Sequence, residues 1–313
     1  MMRPRVLVLA PDADRYLAEL GALASSGTEL VAAPAAQGAL DDPRAFPVVL
    51  GQPDIVAEYL AGGAEVRWIQ STWAGVGPLL SQARRGFVLT GVKDVFGAPI
   101  TDYVMAYVLA FEIKLRERLG RQARRSWWPE DSGSPTGKTM GILGTGSIGR
   151  HLAKVAAAFG MRVTGLSRSG RRVDGFDAVF PVRRLAEFLS EADYVVCTLP
   201  DTPATRGLLD KDAFAALKKS AYLVNVGRGP VLDEFALADA LERGDMAGAA
   251  LDVFVEEPLP RDNPLWHARN CIVTAHVAAR SLPADIAAIF RENYERFLSG
   301  ESLKFRIDID RGY

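Results

Sequence analysis

Three side chains with complementary acid–base and charge chemistry, Arg228, Glu257 and His276, each follow a short apolar run of the chain. Ligands of open α/β sheets bind outside the carboxyl ends of the strands, so residues that follow successive strands can meet. There a guanidinium can hold a carboxylate through two parallel bonds. A nearby carboxylate can orient an imidazole and favour its protonated form. Alone, Arg228 could be a surface residue and His276 a structural one, but together with Glu257 they predict a proton-transferring site for a small acid.

A glycine-rich segment has the chemistry of a phosphate-binding turn. Residues 144–149 read GTGSIG and lie between an apolar run at 139–143 and a helical pattern, with another apolar run at 162–166. Strand, turn, helix and strand form the context that this fingerprint requires. The glycines permit a tight turn, and the helix N-terminus offers free N–H groups to a pyrophosphate. A glycine turn without a ligand is the alternative, but the context favours a dinucleotide site.

The strand that follows this helix ends in Ser167, Arg168 and Ser169, with Arg171 and Arg172 close behind. A site for NAD presents a carboxylate to the ribose at this place, and that carboxylate would repel a 2′-phosphate. Two hydroxyls and a guanidinium instead suit the 2′-phosphate of NADP. We therefore predict NADP as the preferred cofactor and NAD as the second. The alternative is a solvated basic turn that favours neither.

Short apolar runs alternate with amphipathic stretches, which is typical of parallel sheets covered by helices. Two groups of strands are predicted, at 6–10, 29–32, 48–50, 66–70 and 88–89, and at 139–143, 162–166, 194–198, 221–225, 248–252 and 271–274. One continuous helix is predicted over about residues 100–124, capped by Thr101 or Asp102, because apolar residues recur at three- and four-residue spacing. A last helix is predicted over about residues 283–299.

Composition excludes several classes of protein. The chain has 313 residues, enough for about two domains, and a net charge of -1, whereas nucleic-acid binders usually carry a basic excess. Its two cysteines lie in apolar runs and its three histidines form no cluster with them, so we predict buried thiols and no metal site. No apolar run approaches the roughly 18 residues of a membrane span. We therefore expect a cytoplasmic protein without nucleic-acid or membrane partners.

The chain resembles the D-isomer-specific 2-hydroxyacid dehydrogenases, and most of all their glyoxylate/hydroxypyruvate reductase branch. The resemblance is carried by four ordered motifs: GILGTGSIG at 141–149, NVGRG at 225–229, LDVF to EPLP at 251–260, and TAH at 274–276. It implies an α/β fold with two doubly wound parallel-sheet domains. A Rossmann dinucleotide-binding domain, residues 100–283, would be inserted in a flavodoxin-like substrate domain formed by residues 1–99 and 284–313, with the active site in the cleft.

The resemblance also implies roles for individual residues in the reduction of small 2-oxo acids to D-2-hydroxy acids. Arg228 would bind the substrate carboxylate and 2-oxo group, and His276 would be the acid/base held by Glu257. Asp252 would bond the carboxamide of the nicotinamide. The other predicted cofactor-binding residues are Gly144, Thr145, Gly146, Ser147, Ile148, Gly149, Ser167, Arg168, Ser169, Leu199, Pro200, Thr205, Val226, Gly227 and Ala278. The predicted substrate-binding residues, besides Arg228 and His276, are Trp73, Ala74, Gly75 and Val76. A homodimer through the nucleotide domain is expected.

Two departures from the family pattern and several alternatives stay open. The substrate loop has Gly77 where the family often has Asp, and Ala275 stands where Pro commonly precedes the histidine. Formate oxidation on the same fold uses glutamine at the position of Glu257, which argues against it here. Phosphoglycerate or another D-2-hydroxyacid dehydrogenation remains an alternative, as does a dinucleotide-sensing protein without catalysis. The physiological 2-oxo acid is not predicted.

Overall fold

The structure is a computed structural model that describes residues 4–39, 46–81 and 86–309. The chain divides into two compact units, one formed by Met1–Val95 with Ser281–Tyr313 and the other by Phe96–Arg280. The sequence placed these divisions at 99/100 and 283/284. The substrate-binding and dinucleotide-binding roles of the two units remain predictions.

Twelve strands and eleven α-helices make up the described part of the chain. The strands are β1 (Val6–Leu9), β2 (Leu30–Ala33), β3 (Val48–Gly51), β4 (Trp68–Ser71), β5 (Val88–Thr90), β6 (Thr139–Leu143), β7 (Arg162–Ser167), β8 (Ala178–Pro181), β9 (Tyr194–Cys197), β10 (Tyr222–Asn225), β11 (Gly248–Leu251) and β12 (Cys271–Val273). The helices are α1 (Ala13–Glu19), α2 (Gly21–Ser25), α3 (Pro53–Ala61), α4 (Gly77–Leu80), α5 (Gly97–Glu112), α6 (Leu115–Ala123), α7 (Ser147–Ala158), α8 (Leu185–Glu191), α9 (Lys211–Ala215), α10 (Glu234–Arg243) and α11 (Pro283–Ser299).

The first unit is a five-stranded parallel sheet in the order β2-β1-β3-β4-β5, the flavodoxin-like order. The C-terminal helix α11 belongs to this unit and packs on the sheet through a stack of Phe290 on the buried Trp68, with ring centroids 5.0 Å apart. The buried amide of Gln70 donates to the carbonyls of Ser71 and Gly91 at 3.1 and 2.9 Å. This network fixes the end of β4, from which the predicted substrate loop departs.

The second unit is a seven-stranded parallel sheet in the order β12-β11-β10-β9-β6-β7-β8. Read from β8, this is the Rossmann order with one additional strand beyond β11. Neighbouring strands end in register: Leu143 pairs with Cys197, Cys197 with Asn225, Asn225 with Leu251, and Leu251 with Val273. The residues that follow these five strands therefore lie side by side at the carboxyl end of the sheet.

The single long helix predicted over residues 100–124 is wrong, because two helices, α5 and α6, occupy this part of the chain. Lys114 adopts a left-handed backbone conformation with φ 52°, and the guanidinium of Arg118 donates to the carbonyl of Ile113 at 2.6 Å. Nor do Thr101 and Asp102 cap the helix, since α5 begins earlier and the hydroxyl of Thr101 lies 2.9 Å from Nδ1 of His151. The apolar periodicity continues across the break, so the sequence gives no sign of it.

Eleven of the twelve strands lie where the sequence predicts a strand, and the exception is β8, which the sequence did not indicate. This edge strand has only three apolar residues before Pro181. Both cysteines are free, and burial raises the pKa of Cys197 and of Cys271 to about 12. Within the described residues, no three His, Cys, Asp or Glu side chains are grouped to hold a metal ion. None of the described helices is long and apolar enough to cross a membrane.

Candidate active site

An imidazole–carboxylate pair lies beyond the neighbouring strands β11 and β12. Nδ1 of His276 is 2.7 Å from Oε2 of Glu257, and Oε1 of Glu257 accepts the N–H of Phe254 at 2.9 Å. The backbone bond fixes the carboxylate, and the carboxylate fixes the ring. Nε2 is therefore the ring nitrogen that can exchange a proton with a ligand, and the His276 side chain is 48% exposed.

The backbone at His276 is strained and is held in place by Asp252. His276 has φ 52°, a left-handed conformation that costs a non-glycine residue about 1–3 kcal/mol and persists only where its surroundings impose it. The carbonyl of Asp252 accepts the N–H of His276 at 2.8 Å. Its carboxylate accepts the N–H groups of Val277 and Ala278 at 2.9 and 2.8 Å. One residue thus fixes three successive amides of this loop.

Asp252 is buried, and its carboxylate receives one further donor. Oγ1 of Thr274 lies 2.6 Å from Oδ1 of Asp252, and the Tyr103 hydroxyl lies 2.6 Å from the same Oγ1. Oδ2 accepts only the amide of Ala278 among the described residues, so one lone pair can still accept a donor from a ligand. The predicted bond to a carboxamide is compatible with this geometry and remains a prediction.

Arg228 follows β10 and is half-buried. Burial lowers the pKa of its guanidinium, and the charges of Glu257 and Asp201 oppose that shift. The group remains a cation, because arginine does not lose its proton in proteins. Buried Asn225 shapes the turn beneath it: its amide oxygen accepts the N–H of Gly227 at 3.1 Å, and its NH2 donates to the carbonyl of Arg228 at 3.3 Å.

A buried carboxylate that the sequence did not single out holds the loop that carries Glu257. Oε1 of Glu234 accepts the N–H of Val255 at 2.7 Å, and Oε2 accepts the NH2 of Asn263 at 2.7 Å. Glu234 is the first residue of α10, where an acidic residue is ordinary because it interacts well with the helix dipole. No local signal distinguishes it from a solvated carboxylate, since its partners lie 21 and 29 residues away.

The glycine-rich turn has the geometry that an anionic ligand requires. Gly144 has φ 107°, and a Cβ on Gly149 would lie 2.1 Å from the Gly144 carbonyl oxygen, so neither position accepts a side chain. Helix α7 begins at Ser147, and its N-cap, Gly146, has no side chain to bond the first amides. The predicted binding of a pyrophosphate at the N-terminus of α7 is compatible with this geometry and remains a prediction.

The predicted cofactor residues after β7 and β9 lie in two hydrogen-bonded turns. The hydroxyls of Ser167 and Ser169 accept the N–H groups of Gly170 and Arg171 at 3.1 and 3.3 Å, and Arg168 between them is exposed. Both hydroxyls keep their own hydrogen for another acceptor. After β9, Thr205 donates to the carbonyl of Pro200 at 2.6 Å, beyond half-buried Leu199.

The predicted substrate loop belongs to the other unit and follows β4. Trp73 is 40% exposed, and its backbone N–H and carbonyl both bond the Ser71 hydroxyl, at 3.0 and 2.7 Å. Ala74 is exposed, whereas the Val76 side chain is buried, so only the backbone of Val76 is suited to bind a ligand. The roles of residues 73–76 remain predictions.

The structure brings Arg228, Glu257 and His276 to the carboxyl end of one sheet, that of the second unit.

Comparisons with known proteins agree on one family. The model for the NAD binding domain of D-isomer specific 2-hydroxyacid dehydrogenases matches residues 105–278. A glyoxylate/hydroxypyruvate reductase A from Serratia proteamaculans is 33% identical over 281 residues, which cover 87% of this chain and 89% of that protein.

Two solved structures share the fold over nearly the whole chain. A D-isomer specific 2-hydroxyacid dehydrogenase family protein from Aeromonas salmonicida is 38% identical with a TM-score of 0.93, covering 99% of this chain and 100% of that one. An NADPH-dependent glyoxylate/hydroxypyruvate reductase from Sinorhizobium meliloti, solved with NADP and sulfate, is 28% identical with a TM-score of 0.86 and the same coverage.

Proposed function

The chain belongs to the D-isomer specific 2-hydroxyacid dehydrogenase family, and on that premise we propose that it reduces small 2-oxo acids of the glyoxylate and hydroxypyruvate type to D-2-hydroxy acids. The family makes it an NAD(P)-dependent oxidoreductase. The observation that carries the choice of reaction is the 2.7 Å contact between His276 and Glu257. An oriented acid/base pair suits a reaction in which a proton and a hydride are transferred together.

Each of the three site residues has a separate task in this reaction. Arg228 binds the substrate carboxylate and stabilises negative charge that develops on the 2-oxo oxygen. Nε2 of His276 donates a proton to that oxygen, and Glu257 stabilises the imidazolium and keeps the ring in one orientation. A bound dihydronicotinamide supplies the hydride that reduces the carbonyl carbon.

The alternatives fit the site less well. Formate oxidation needs no proton transfer, whereas this chain holds an imidazole against a carboxylate that is itself fixed by a backbone N–H. A dinucleotide sensor has no need of an acid/base pair near a half-buried cation. Another D-2-hydroxyacid dehydrogenation would use the same three residues, and a panel of 2-oxo acids distinguishes it from reduction of glyoxylate and hydroxypyruvate.

NADPH is the proposed cofactor, with NADH as the weaker one. The turn after β7 offers two hydroxyls and the exposed Arg168 guanidinium, a set that can bind a 2′-phosphate. Related 2-hydroxyacid dehydrogenases from Sinorhizobium meliloti and Xanthobacter autotrophicus, solved with NADP and NADPH, support this choice.

A homodimer through the second unit is also proposed. Leu119 on α6 is 56% exposed and Trp127 is 93% exposed. Leu119 lines a largely apolar groove of about 620 Å³, to which Tyr107, Phe111 and Leu115 also contribute. A large apolar surface of this kind marks an interaction site. A second copy of the chain is the proposed occupant, because an isologous interface buries the same surface on both protomers.

Replacing the proton donor tests the proposed reaction. His276→Asn keeps a polar side chain but cannot act as an acid, so kcat for glyoxylate reduction should fall at least about 100-fold. The Kd of NADPH, measured by fluorescence titration, should change little. His267→Asn, which alters an exposed histidine elsewhere in the unit, is the matched control and should keep its kcat. Near-normal kcat in His276→Asn would refute the assignment.

Replacing the carboxylate-binding cation tests the substrate class. Arg228→Lys keeps the charge but loses the planar fork, so kcat/KM for glyoxylate and hydroxypyruvate should fall at least about tenfold, or about 1.4 kcal/mol. Arg206→Lys, which alters an exposed pair with Asp201, serves as the control. An unchanged kcat/KM for both acids would show that Arg228 does not bind the carboxylate.

Removing the guanidinium after β7 tests the cofactor preference. Arg168→Ala should lower kcat/KM for NADPH at least about tenfold more than for NADH, since one charged hydrogen bond is lost only with NADPH. Arg243→Ala, at the far end of α10, is the control and should affect both cofactors alike. Equal use of the two cofactors by the unaltered protein would contradict the proposal.

A charge on the exposed face of α6 tests the homodimer. Leu119→Glu should convert a dimer to a monomer in sedimentation velocity experiments, because the carboxylate would be buried without a partner. Phe235→Glu places the same charge at another exposed apolar position, 70% accessible on α10, and should leave the dimer intact. A monomeric unaltered protein, or a Leu119→Glu dimer, would contradict the proposed interface.

A further inference from the structure

A chain of three oxygen atoms connects helix α5 to the loop of His276. The Tyr103 hydroxyl lies 2.6 Å from Oγ1 of Thr274, and this Oγ1 lies 2.6 Å from Oδ1 of Asp252. Tyr103 and Thr274 are 171 residues apart in the sequence. Both contacts are as short as charge-assisted O–H···O bonds. The proposed reaction does not use Tyr103 or Thr274.

The direction of these bonds follows from the chemistry of the groups. The carboxylate of Asp252 accepts the backbone N–H groups of Val277 and Ala278, one on each oxygen, so it acts here as an acceptor. Thr274 must then donate its single hydrogen to Asp252, and its oxygen accepts the hydrogen of Tyr103. Burial raises the pKa of Tyr103, which keeps the phenol protonated and able to donate.

We infer that Tyr103 is a positioning residue for the proposed proton donor, and that it acts through Thr274 and Asp252 on the main chain at residues 276–278. The inference rests on the proposed function of His276. Its geometric basis is that the tyrosine fixes the rotamer of Thr274, which in turn fixes one oxygen of the carboxylate. That carboxylate holds the two amides that follow the strained backbone of His276.

This relay, the hydrogen bonds that lead from Tyr103 through Thr274 to Asp252, affects the chemical step more than it affects substrate binding. The imidazole is fixed by its own backbone and by one contact with Glu257, so loosening the loop displaces Nε2. Small displacements of a reacting group cost large factors in rate. Arg228, which is proposed to bind the substrate carboxylate, lies after β10 in a turn held by the side chain of Asn225. Asp252 bonds Asn225 through its backbone N–H, which donates to the Asn225 carbonyl at 3.0 Å, and not through the carboxylate that Thr274 bonds. A loss confined to kcat, with the KM for glyoxylate and the Kd of NADPH unchanged, therefore distinguishes positioning of His276 from general damage to the site and from loss of the predicted bond between Asp252 and the carboxamide.

Tyr103→Phe removes the hydroxyl and keeps the ring that packs on Tyr107, with centroids 4.7 Å apart. We expect kcat for glyoxylate to fall about fivefold, the effect of one lost hydrogen bond, with KM within about twofold. Hydrogen exchange at the amides of Val277 and Ala278, measured at residue resolution in the free protein, should accelerate by a similar factor. Tyr222→Phe, a buried tyrosine in the same unit, is the matched control and should change neither quantity.

A double-mutant cycle of Tyr103→Phe with Thr274→Val tests whether Tyr103 acts through Thr274. If Tyr103 acts through Thr274, Tyr103→Phe should have little further effect on kcat in the Thr274→Val background. Thr274→Ser keeps the hydroxyl and should restore most of the activity. Fully multiplicative effects, an unchanged kcat in Tyr103→Phe, or unchanged amide exchange would each overturn the inference.

The proposed role of His276 as proton donor and the inferred role of Tyr103 can be refuted independently of each other. Near-normal kcat in His276→Asn refutes the proton donor, while the exchange of the Val277 and Ala278 amides still tests whether Tyr103 fixes the loop. Conversely, if His276→Asn is inactive and the amide exchange of Tyr103→Phe is unchanged, the proposed reaction is supported and only the relay is refuted.

Discussion

The register of the seven-stranded sheet is the constraint on which the site depends. Five neighbouring parallel strands end level at Leu143, Cys197, Asn225, Leu251 and Val273, because ladder hydrogen bonds fix each strand against the next. Each loop that follows one of these strands therefore begins at a rigid position. The turns at Gly144 and Arg228 and the loop at His276 consequently arise at one end of the sheet, although Gly144 and His276 are 132 positions apart.

Buried polar groups extend this rigidity from the strands into the loops. Asn225, Glu234 and Asp252 are all buried, and each of them bonds backbone N–H groups of a loop next to the site. A buried polar group is costly unless it is satisfied, so each of these side chains favours one loop conformation over others. The bonds of Asp252 also sustain the left-handed backbone at His276, which an unsupported loop would relax.

The polar groups of the site and the exposed apolar side chains lie in different parts of the second unit. Oxygen and nitrogen groups converge at the carboxyl edge of its sheet, whereas Leu119 and Trp127 expose apolar surface on and beyond α6. The proposed proton transfer and the proposed homodimer therefore involve different parts of one unit. Arg228 is proposed to bind an anionic ligand there: burial lowers the pKa of its guanidinium, and the charges of Glu257 and Asp201 oppose that shift.

Periodicity and motif order in the sequence by themselves determined the two parallel sheets, the glycine turn before α7 and the bounds of α11, because each depends on residues close together in the chain. They also determined which residues follow which strands, and hence the trio of Arg228, Glu257 and His276. Only the tertiary structure decided that the chain breaks at Lys114, between α5 and α6, and that Glu234 and Tyr103 bond distant loops. A hydrogen bond across 171 residues depends on how the strands and helices pack, and no local pattern encodes it.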